Sequence, residues 1–259
     1  MKLIIKILRI IILIICLGLI AFSLTKIIPW CIDNFNTSNE INNAKSKIKI
    51  SRKKPTKIEI YDENSKYINE KFLSLDFTKL LKENNEVVGW IKVKGTKINY
   101  PFVKHNDNNY YLYHSLNKKY NEAGWLFLDY RNNLEQDQNS IIYAHGRVDG
   151  TMFGSLKDTL TKKWQNKKKN YVVKISTPKN NYIYEIFSIY HIKTTDDYLQ
   201  INFNDSNDYN MFISKIKTRS AYNFNTNISS DSKILTLSTC YNDADKMVLH
   251  AKLIKKEIR

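Results

Sequence analysis

The chain has 259 residues and a formal net charge of +16, and 42% of its residues are hydrophobic, which is enough for one ordinary domain with its own core. Its 17 Tyr and 11 Phe against 7 Gly favour a β-rich domain over a helical bundle or a disordered chain. The positive charge either serves an anionic partner or reflects a composition rich in Lys along the whole chain. The sequence contains no nucleic-acid-binding motif, so we expect no nucleic acid as a partner.

The N-terminus carries a long apolar run. Residues 7–25, about 19 in number, are mostly Ile and Leu with Arg9 as the only charge, which is long enough to cross a bilayer. Lys2 and Lys6 precede the run, so the positive-inside rule keeps the N-terminus in the cytoplasm. A cleaved signal peptide is the alternative. We expect residues 1–31 to form a single-pass transmembrane helix with everything after it outside the cell.

The rest of the chain divides into a stalk and a domain. Residues 32–65 are polar and charged and predict a stalk, and the domain is expected at 66–259. Apolar residues at near-helical spacing predict helices over residues 66–84 and 205–219. Elsewhere the hydrophobic period is two, and turn residues separate eight strand-like runs, which predicts a barrel or a sandwich. The runs are Gly89–Val93, Ile98–Val103, Trp125–Tyr130, Ser140–Ala144, Tyr171–Ser176, Tyr182–Tyr190, Ile234–Thr239 and Met247–Ile254.

Cys240 is the candidate nucleophile of the domain. It ends the apolar run 234–239, and a strand terminus can present a thiol at a groove while the strand beneath holds it rigid. The other two cysteines, Cys16 and Cys31, lie in the anchor, so the chain has no disulfide framework. A buried structural cysteine is the alternative, and composition alone does not decide between the two.

His145 is the candidate partner of this thiol. It closes the apolar run 141–144 and is followed at once by Gly146, so it also stands at a strand end. Two strand-end residues can meet across one rim of a sheet or barrel, which would bring His145 and Cys240 together. The other histidines are expected at the surface (His105, His114 and His191) or packed inside the last strand (His250).

A series of motifs runs in a fixed order through the predicted domain. The segments around the two candidates are Ile142-Tyr143-Ala144-His145-Gly146 and Leu235-Thr236-Leu237-Ser238-Thr239-Cys240. The others are Gly89-Trp90-Ile91-Lys92-Val93, Ile98-Asn99-Tyr100-Pro101, Asp107-Asn108-Asn109-Tyr110-Tyr111-Leu112, Leu128-Asp129-Tyr130-Arg131-Asn132 and Thr151-Met152-Phe153. As a set, and with a helical insertion between two late strands, they resemble class B sortases over about residues 66–256.

The resemblance implies a closed eight-stranded sortase β-barrel with peripheral helices on the outer face of a Gram-positive membrane. Such enzymes cut surface proteins after the Thr of a C-terminal sorting motif, here one like Asn-Pro-x-Thr-Asn, through a cysteine thioester. They then join the Thr carboxyl to an amine of a peptidoglycan precursor or of a pilin. It further implies that Cys240 is the nucleophile and His145 the acid and base, and that Asn108 lines the substrate groove. Tyr143 and Ser238 flank the catalytic pair and are also predicted to bind substrate; strand packing is the alternative for both.

The chain departs from the family at the group that stabilises the oxyanion. The family has an Arg at the start of the last strand, and alignment of that strand puts Lys246 there, after a shortened loop. Lysine keeps the charge but loses the planar fork of two donors. Either Lys246 is the donor, or Arg131 or Arg147 reaches the site, or activity is low or lost. We favour an active enzyme; the alternative is a catalytically weak or inactive sortase-like protein that binds sorting signals or wall polymer.

Two further classes of hydrolase are disfavoured. Papain-like peptidases place the Cys before the His in the chain, whereas here the His comes first. No pair of histidines has metal-ligand spacing on one helix or strand, so we expect no metal. We expect no cofactor either.

Overall fold

The computed structural model describes residues 2–240 and 244–259, and the side chains of residues 3–239 and 244–259. The helices are α1 (Lys2–Lys47), α2 (Thr78–Glu83), α3 (Lys162–Gln165) and α4 (Ser206–Thr218), with 3-10 turns at Tyr110–Leu112, Gly154–Leu160 and Lys168–Asn170. The strands are β1 (Lys49–Ile50), β2 (Lys57–Ile60), β3 (Leu75–Asp76), β4 (Val87–Val93), β5 (Asn99–Val103), β6 (Phe127–Leu128), β7 (Asn139–Tyr143), β8 (Val172–Ser176), β9 (Asn180–Lys193), β10 (Ile234–Cys240) and β11 (Asp245–Ile258).

Eight of the strands form a closed barrel. Their order around the sheet is β10-β7-β6-β5-β4-β8-β9-β11, and β11 also pairs with β10, which closes the ring. These eight strands correspond to the eight runs that the sequence predicts, so the closed barrel is confirmed. The main core includes Trp90, Ile91 and Leu237, and it extends over both faces of the barrel wall, because the consecutive residues Trp90 and Ile91 point to opposite faces of β4. Closure removes the unpaired sheet edges that an open sheet of this size would expose.

Helix α4 packs on the outside of the barrel, as the pattern over residues 205–219 predicts. Its buried face contacts β9, β10 and β11 in a second hydrophobic cluster, which includes Phe187, Phe212 and Val248. The helix begins after Asp205, whose carboxylate accepts a hydrogen bond from the Asp208 backbone N–H at 2.9 Å. Strand β9 is therefore covered on both faces, which explains why its residues are buried almost without alternation.

The helix predicted over residues 66–84 is wrong in extent. Only α2, six residues long, is helical there. Leu75 pairs with Ile50 in the short β1–β3 ladder, so tertiary pairing takes this part of the segment into a strand. The Asp76 carboxylate then accepts hydrogen bonds from the Thr78 backbone N–H and hydroxyl, at 2.9 and 2.6 Å, and this local turn sets where α2 begins.

Helix α1 has an apolar first half and a second half that docks on the barrel. It is the one helix, within the described part of the chain, that is long and apolar enough to cross a membrane, and that apolar window is fully exposed. Residues 32–47, in the predicted stalk, continue the helix, and Thr37, Ile41 and Ala44 on them are buried. The boundaries of anchor, stalk and domain stay a prediction.

Candidate functional site

The two candidate catalytic residues stand at the ends of two neighbouring parallel strands: Cys240 is the last residue of β10, and His145 comes just after β7. Strand β7 pairs with β10 in parallel, and Tyr143 lies opposite Ser238 in that register. His145 stands two residues after Tyr143, and Cys240 stands two residues after Ser238. Because parallel strands end in the same direction, both backbones reach one rim of the barrel. The side chain of Cys240 lies outside the described side chains.

Lys246 lies directly across from the candidate nucleophile in the backbone register. Strands β10 and β11 form an antiparallel pair in which Cys240 is opposite Lys246. Residues 241–243, which join the two strands, lie outside the described residues. The backbone carbonyl of Ala244 accepts hydrogen bonds from the backbone N–H and the hydroxyl of Thr194, both at 3.0 Å. The start of β11, and with it the Lys246 backbone, is thereby tied to the end of β9.

The His145 ring is held by a backbone carbonyl. Its Nε2 lies 2.8 Å from the Leu112 oxygen. A carbonyl only accepts, so Nε2 must carry a proton whether the ring is neutral or cationic. Nδ1 is therefore the ring nitrogen that gains and loses a proton, which is the requirement for an acid that later acts as a base.

The backbone packed against His145 leaves no space for a side chain at position 124. Gly124 has φ of +57°, and a Cβ on it would lie 2.6 Å from the Tyr111 oxygen, 2.7 Å from the Leu112 oxygen and 3.0 Å from His145 Cδ2. The Tyr113 ring lies 6.5 Å from the His145 ring, centroid to centroid. The loop that carries the Leu112 carbonyl thus packs closely against the imidazole.

Tyr143, two residues before His145, donates a hydrogen bond to a buried carboxylate. Its hydroxyl lies 2.9 Å from Asp129 Oδ2, and Arg131 binds the same carboxylate through two nitrogens at 2.9 and 2.8 Å. Burial opposes ionisation of Asp129, but the hydrogen bonds from Arg131 and Tyr143 outweigh it and hold its pKa below the ordinary value. Burial, together with the Asp129 charge, raises the pKa of the Tyr143 hydroxyl, so it stays a donor.

The other two predicted substrate residues flank this group. Asn108 is half-buried, and its side-chain oxygen accepts from the Tyr130 backbone N–H at 3.0 Å, next to Asp129. Ser238 is buried, and its hydroxyl lies 3.0 Å from that of Tyr198, in the segment between β9 and α4. Asn108, Tyr143 and Ser238 thus link the strands of the site to the loops around it.

The four remaining histidines comprise one buried residue, one exposed residue and a pair stacked on Tyr110; the exposed one is His191, as predicted. His250 is fully buried, as predicted, and burial lowers its pKa to about 3, so it is neutral. His105 and His114, expected at the surface, are instead half-buried on the two sides of Tyr110, with ring centroids 4.4 and 3.9 Å away. Aromatic stacking on Tyr110, which spacing alone does not show, accounts for the difference. Among the described residues no group of three or more His, Cys, Asp or Glu is placed to hold a metal ion.

The sequence analysis did not identify three groups that belong to the site. The Leu112 carbonyl has no side-chain signature, and Gly124 stands outside every quoted motif. Asp129 lies within the quoted segment 128–132, and an acidic residue two positions before Arg131 was the signal available. Only the fold shows that this carboxylate is fully buried and shared by Arg131 and Tyr143.

Comparison with known proteins identifies relatives over most of the chain. A family model described as a sortase domain matches residues 91–254. The chain is 36% identical to Sortase B of Listeria monocytogenes over 182 residues, which cover 68% of this chain and 73% of that protein. It is 35% identical to Sortase B of Staphylococcus aureus over 184 residues, 69% of this chain and 75% of that one.

Solved structures show the same likeness. The crystal structure of sortase B from Bacillus anthracis in complex with AAEK1 matches with a TM-score of 0.70 and 30% identity, over 86% of this chain and 99% of that one. A Staphylococcus aureus sortase B–substrate complex matches with a TM-score of 0.64 and 34% identity, over 69% of this chain and 84% of that one.

Proposed function

We propose a specific reaction for this chain on the premise that it belongs to the sortase family, in class B, whose members are cysteine transpeptidases. In the proposed reaction the enzyme cleaves a C-terminal sorting motif like Asn-Pro-x-Thr-Asn after the Thr. It then transfers the Thr carboxyl to an amine of a peptidoglycan precursor or of a pilin. The parallel pairing of β7 and β10, which carries His145 and Cys240 to one rim, is the observation that carries the proposal.

Cys240 and His145 divide the chemistry between them. The Cys240 thiolate attacks the Thr carbonyl carbon and forms a tetrahedral oxyanion, which collapses to a thioester as the C–N bond breaks. His145 donates its Nδ1 proton to the departing amine. It then accepts a proton from the incoming amine as that amine attacks the thioester carbon, and the C–S bond breaks to release the Cys240 thiolate. The hydrogen bond from Nε2 to the Leu112 carbonyl supports this assignment, because it keeps Nδ1 as the exchanging nitrogen in both steps.

Lys246 is the proposed donor to the oxyanion. Its position opposite Cys240 in the β10–β11 register supports the role. The two arginines that might replace it are engaged elsewhere: Arg131 binds Asp129 through two nitrogens, and Arg147 contacts Asp149 and Asn34. A single oxyanion donor contributes about 2.7–4 kcal/mol in other acyl-transfer sites, so Lys246→Ala should slow turnover by about 10²–10³-fold. Lys246→Arg should keep most of the activity, since it keeps the charge and adds a second donor.

Helix α1 is proposed to anchor the enzyme in the membrane with its N-terminus in the cytoplasm and the barrel outside. The exposed apolar first half of the helix supports the anchor, and Lys2, Lys6 and Arg9 before and within it support the orientation. The proposed protein partners are surface proteins that carry a C-terminal sorting signal.

The test is cleavage of quenched peptides by residues 32–259. The panel contains Asn-Pro-x-Thr-Asn and Leu-Pro-x-Thr-Gly peptides, with and without an amine acceptor, and Cys240→Ala and His145→Ala serve as matched inactive variants. Cleavage after Thr that disappears in both variants, with a peptide–amine product when acceptor is present, is the expected result. A folded wild-type protein that binds a peptide without cleaving it would support the second candidate, a sortase-like binder, which the loss of the family's Arg at position 246 keeps open.

A further inference from the structure

A wide cleft on the side of the barrel is lined by lysines. Its volume is about 1020 Å³, and Phe72, Leu73 and Trp164 form its apolar floor. Seven lysines surround it: Lys71, Lys92, Lys94, Lys163, Lys167, Lys169 and Lys174. The site described above uses none of these residues.

The charge of the cleft is largely uncompensated. Lys94 and Lys174 both pair with Glu70, and Asp158 is the one acidic residue in the lining. The five other lysines are exposed and make no salt bridge with any described residue. Seven lysines against Glu70 and Asp158 leave a net charge of +5. The whole chain has 41 basic and 25 acidic residues, so a surface with the same ratio would hold about four acids beside seven lysines, whereas this cleft has two.

The backbone that presents these lysines is rigid. Lys92 and Lys174 are direct partners in the β4–β8 ladder. The turn after β4 is held by a hydrogen bond from the Trp164 indole to the Lys94 carbonyl at 3.1 Å. Gly95, with φ of +76°, lies so close to Asn170 that a Cβ would be 2.5 Å away. The lysines are thus fixed around one concavity despite their mutual repulsion, an arrangement that a polyanion would stabilise.

The cleft is linked to α1 through a chain of neighbouring contacts. The turn that contains Lys94 continues to Lys97, whose Nζ donates to the Asp149 carbonyl at 3.3 Å. Arg147 contacts Asp149 and also Asn34 on α1. In the proposed orientation, the cleft and a polymer at the outer membrane surface lie on the same side of the membrane. A bilayer surface is flat and does not enter a concave cleft, whereas a linear polymer can lie along it.

We propose that this lysine cleft binds a linear polyanion with phosphodiester repeats, which would hold the enzyme beside the wall. Each phosphate would contact one or two lysine ammonium groups, and the apolar floor would contact the linkers between phosphates. The proposal rests on the proposed outward orientation for the source of the polymer, but binding itself is independent of peptide cleavage.

The test uses the full chain in nanodiscs of neutral phosphatidylcholine, titrated with fluorescent poly(glycerol phosphate) and followed by anisotropy. The cleft variant is Lys92→Gln, Lys163→Gln and Lys169→Gln together. Its control is the triple variant Lys54→Gln, Lys79→Gln and Lys157→Gln, which removes the same charge from exposed positions outside the cleft lining. From the strength of exposed ion pairs we expect the cleft variant to bind about tenfold more weakly and the control within about twofold of wild type. Binding should also weaken as salt rises.

The outcomes separate this proposal from the proposed function. Cys240→Ala should bind the polymer like wild type, and the cleft variant should cleave peptide like wild type. Equal weakening in the two triple variants would overturn the cleft as a site and leave only a general charge effect. Binding to anionic phosphatidylglycerol nanodiscs without binding to the polymer would overturn it in favour of a lipid headgroup. No binding to either would overturn it outright, whatever the peptide assay shows.

Discussion

Gly124→Ala should impair catalysis by displacing the backbone that holds His145, without replacing a residue that takes part in the proposed reaction. The glycine stands at φ of +57°, where an alanine costs about 1–2 kcal/mol. The new methyl would also lie 2.7 Å from the Leu112 oxygen, the acceptor that orients His145. Relief to an ordinary contact needs a shift of roughly 0.7 Å, which the loop or the imidazole must make.

A shift of this size is large for the hydrogen bond between His145 Nε2 and the Leu112 carbonyl. The Nε2 to oxygen distance is 2.8 Å, and a lengthening of a few tenths of an ångström weakens the bond that fixes the tautomer. Misplacement of a catalytic group by about 1 Å can cost about 10²-fold in rate, so we expect kcat/KM for the sorting peptide to fall by about 10- to 100-fold. The assay is peptide cleavage across pH, because a mixture of tautomers alters the pH profile as well as the rate.

Gly95→Ala is the matched control for backbone strain. Gly95 has φ of +76°, and its added methyl would lie 2.5 Å from the Asn170 side chain, in the lysine cleft. Both variants should lose similar thermal stability, and only Gly124→Ala should lose activity. Full activity in a folded Gly124→Ala, or an equal loss of activity in both variants, would refute the argument that the Leu112 carbonyl positions His145.

Three more predictions concern stability, measured by urea unfolding of residues 32–259. Tyr143→Phe removes a hydrogen bond to a buried carboxylate and should cost about 1.5–3 kcal/mol. Burial lowers the pKa of His250 to about 3 in the folded protein, against 6.5 in the unfolded chain. The free energy of unfolding should therefore fall as pH falls from 6.5 to 3, by up to about 1.4 kcal/mol per pH unit. His250→Gln should flatten that slope. A fragment that starts at residue 48 loses the buried Ile41 and Ala44 and should be less stable by about 2 kcal/mol or more; an unchanged value would mean that α1 does not pack on the barrel in solution.

The positions of the barrel strands could be predicted because their alternation of apolar residues is strong. The residues at which each strand begins and ends could not be predicted. Strand β6 is only two residues long. The Asp129 backbone N–H still donates to the Ile141 carbonyl, but the chain then turns, and the Asn132 N–H donates to the Asp129 carbonyl while Arg131 and Tyr143 occupy the Asp129 carboxylate. Strand β9 is longer than its apolar run, because it pairs with β11 over 13 register positions across two irregularities. Pairing with a partner strand, which lies far along the chain, decides these ends.

The candidate site was predictable only in part. His145 and Cys240 carry reactive side chains at strand ends, and such residues can be recognised without a structure. The partner of His145 is a backbone carbonyl, which every residue possesses, so no residue type points to Leu112. Helix α1 shows the same limit: Thr37, Ile41 and Ala44 are too few among polar neighbours to predict that this part of the stalk packs on the barrel.

The strands that carry the site are cross-linked by a neutral network whose hydrogen-bond directions are all determined. The Asn139 amide nitrogen donates to the Gln200 carbonyl at 2.7 Å, so its oxygen faces Thr236 and accepts from that hydroxyl at 2.8 Å. The Thr236 oxygen must then accept from His250 Nδ1, which leaves Nε2 to accept from the Tyr190 hydroxyl, each at 2.9 Å.

This network joins β7, β10, β11 and β9 at a single buried point. Because burial lowers the pKa of His250 to about 3, the network keeps one protonation state at neutral pH. A neutral network of fixed hydrogen-bond directions holds the register of β7 and β10, the two strands whose ends present the proposed acid and base, His145, and the proposed nucleophile, Cys240.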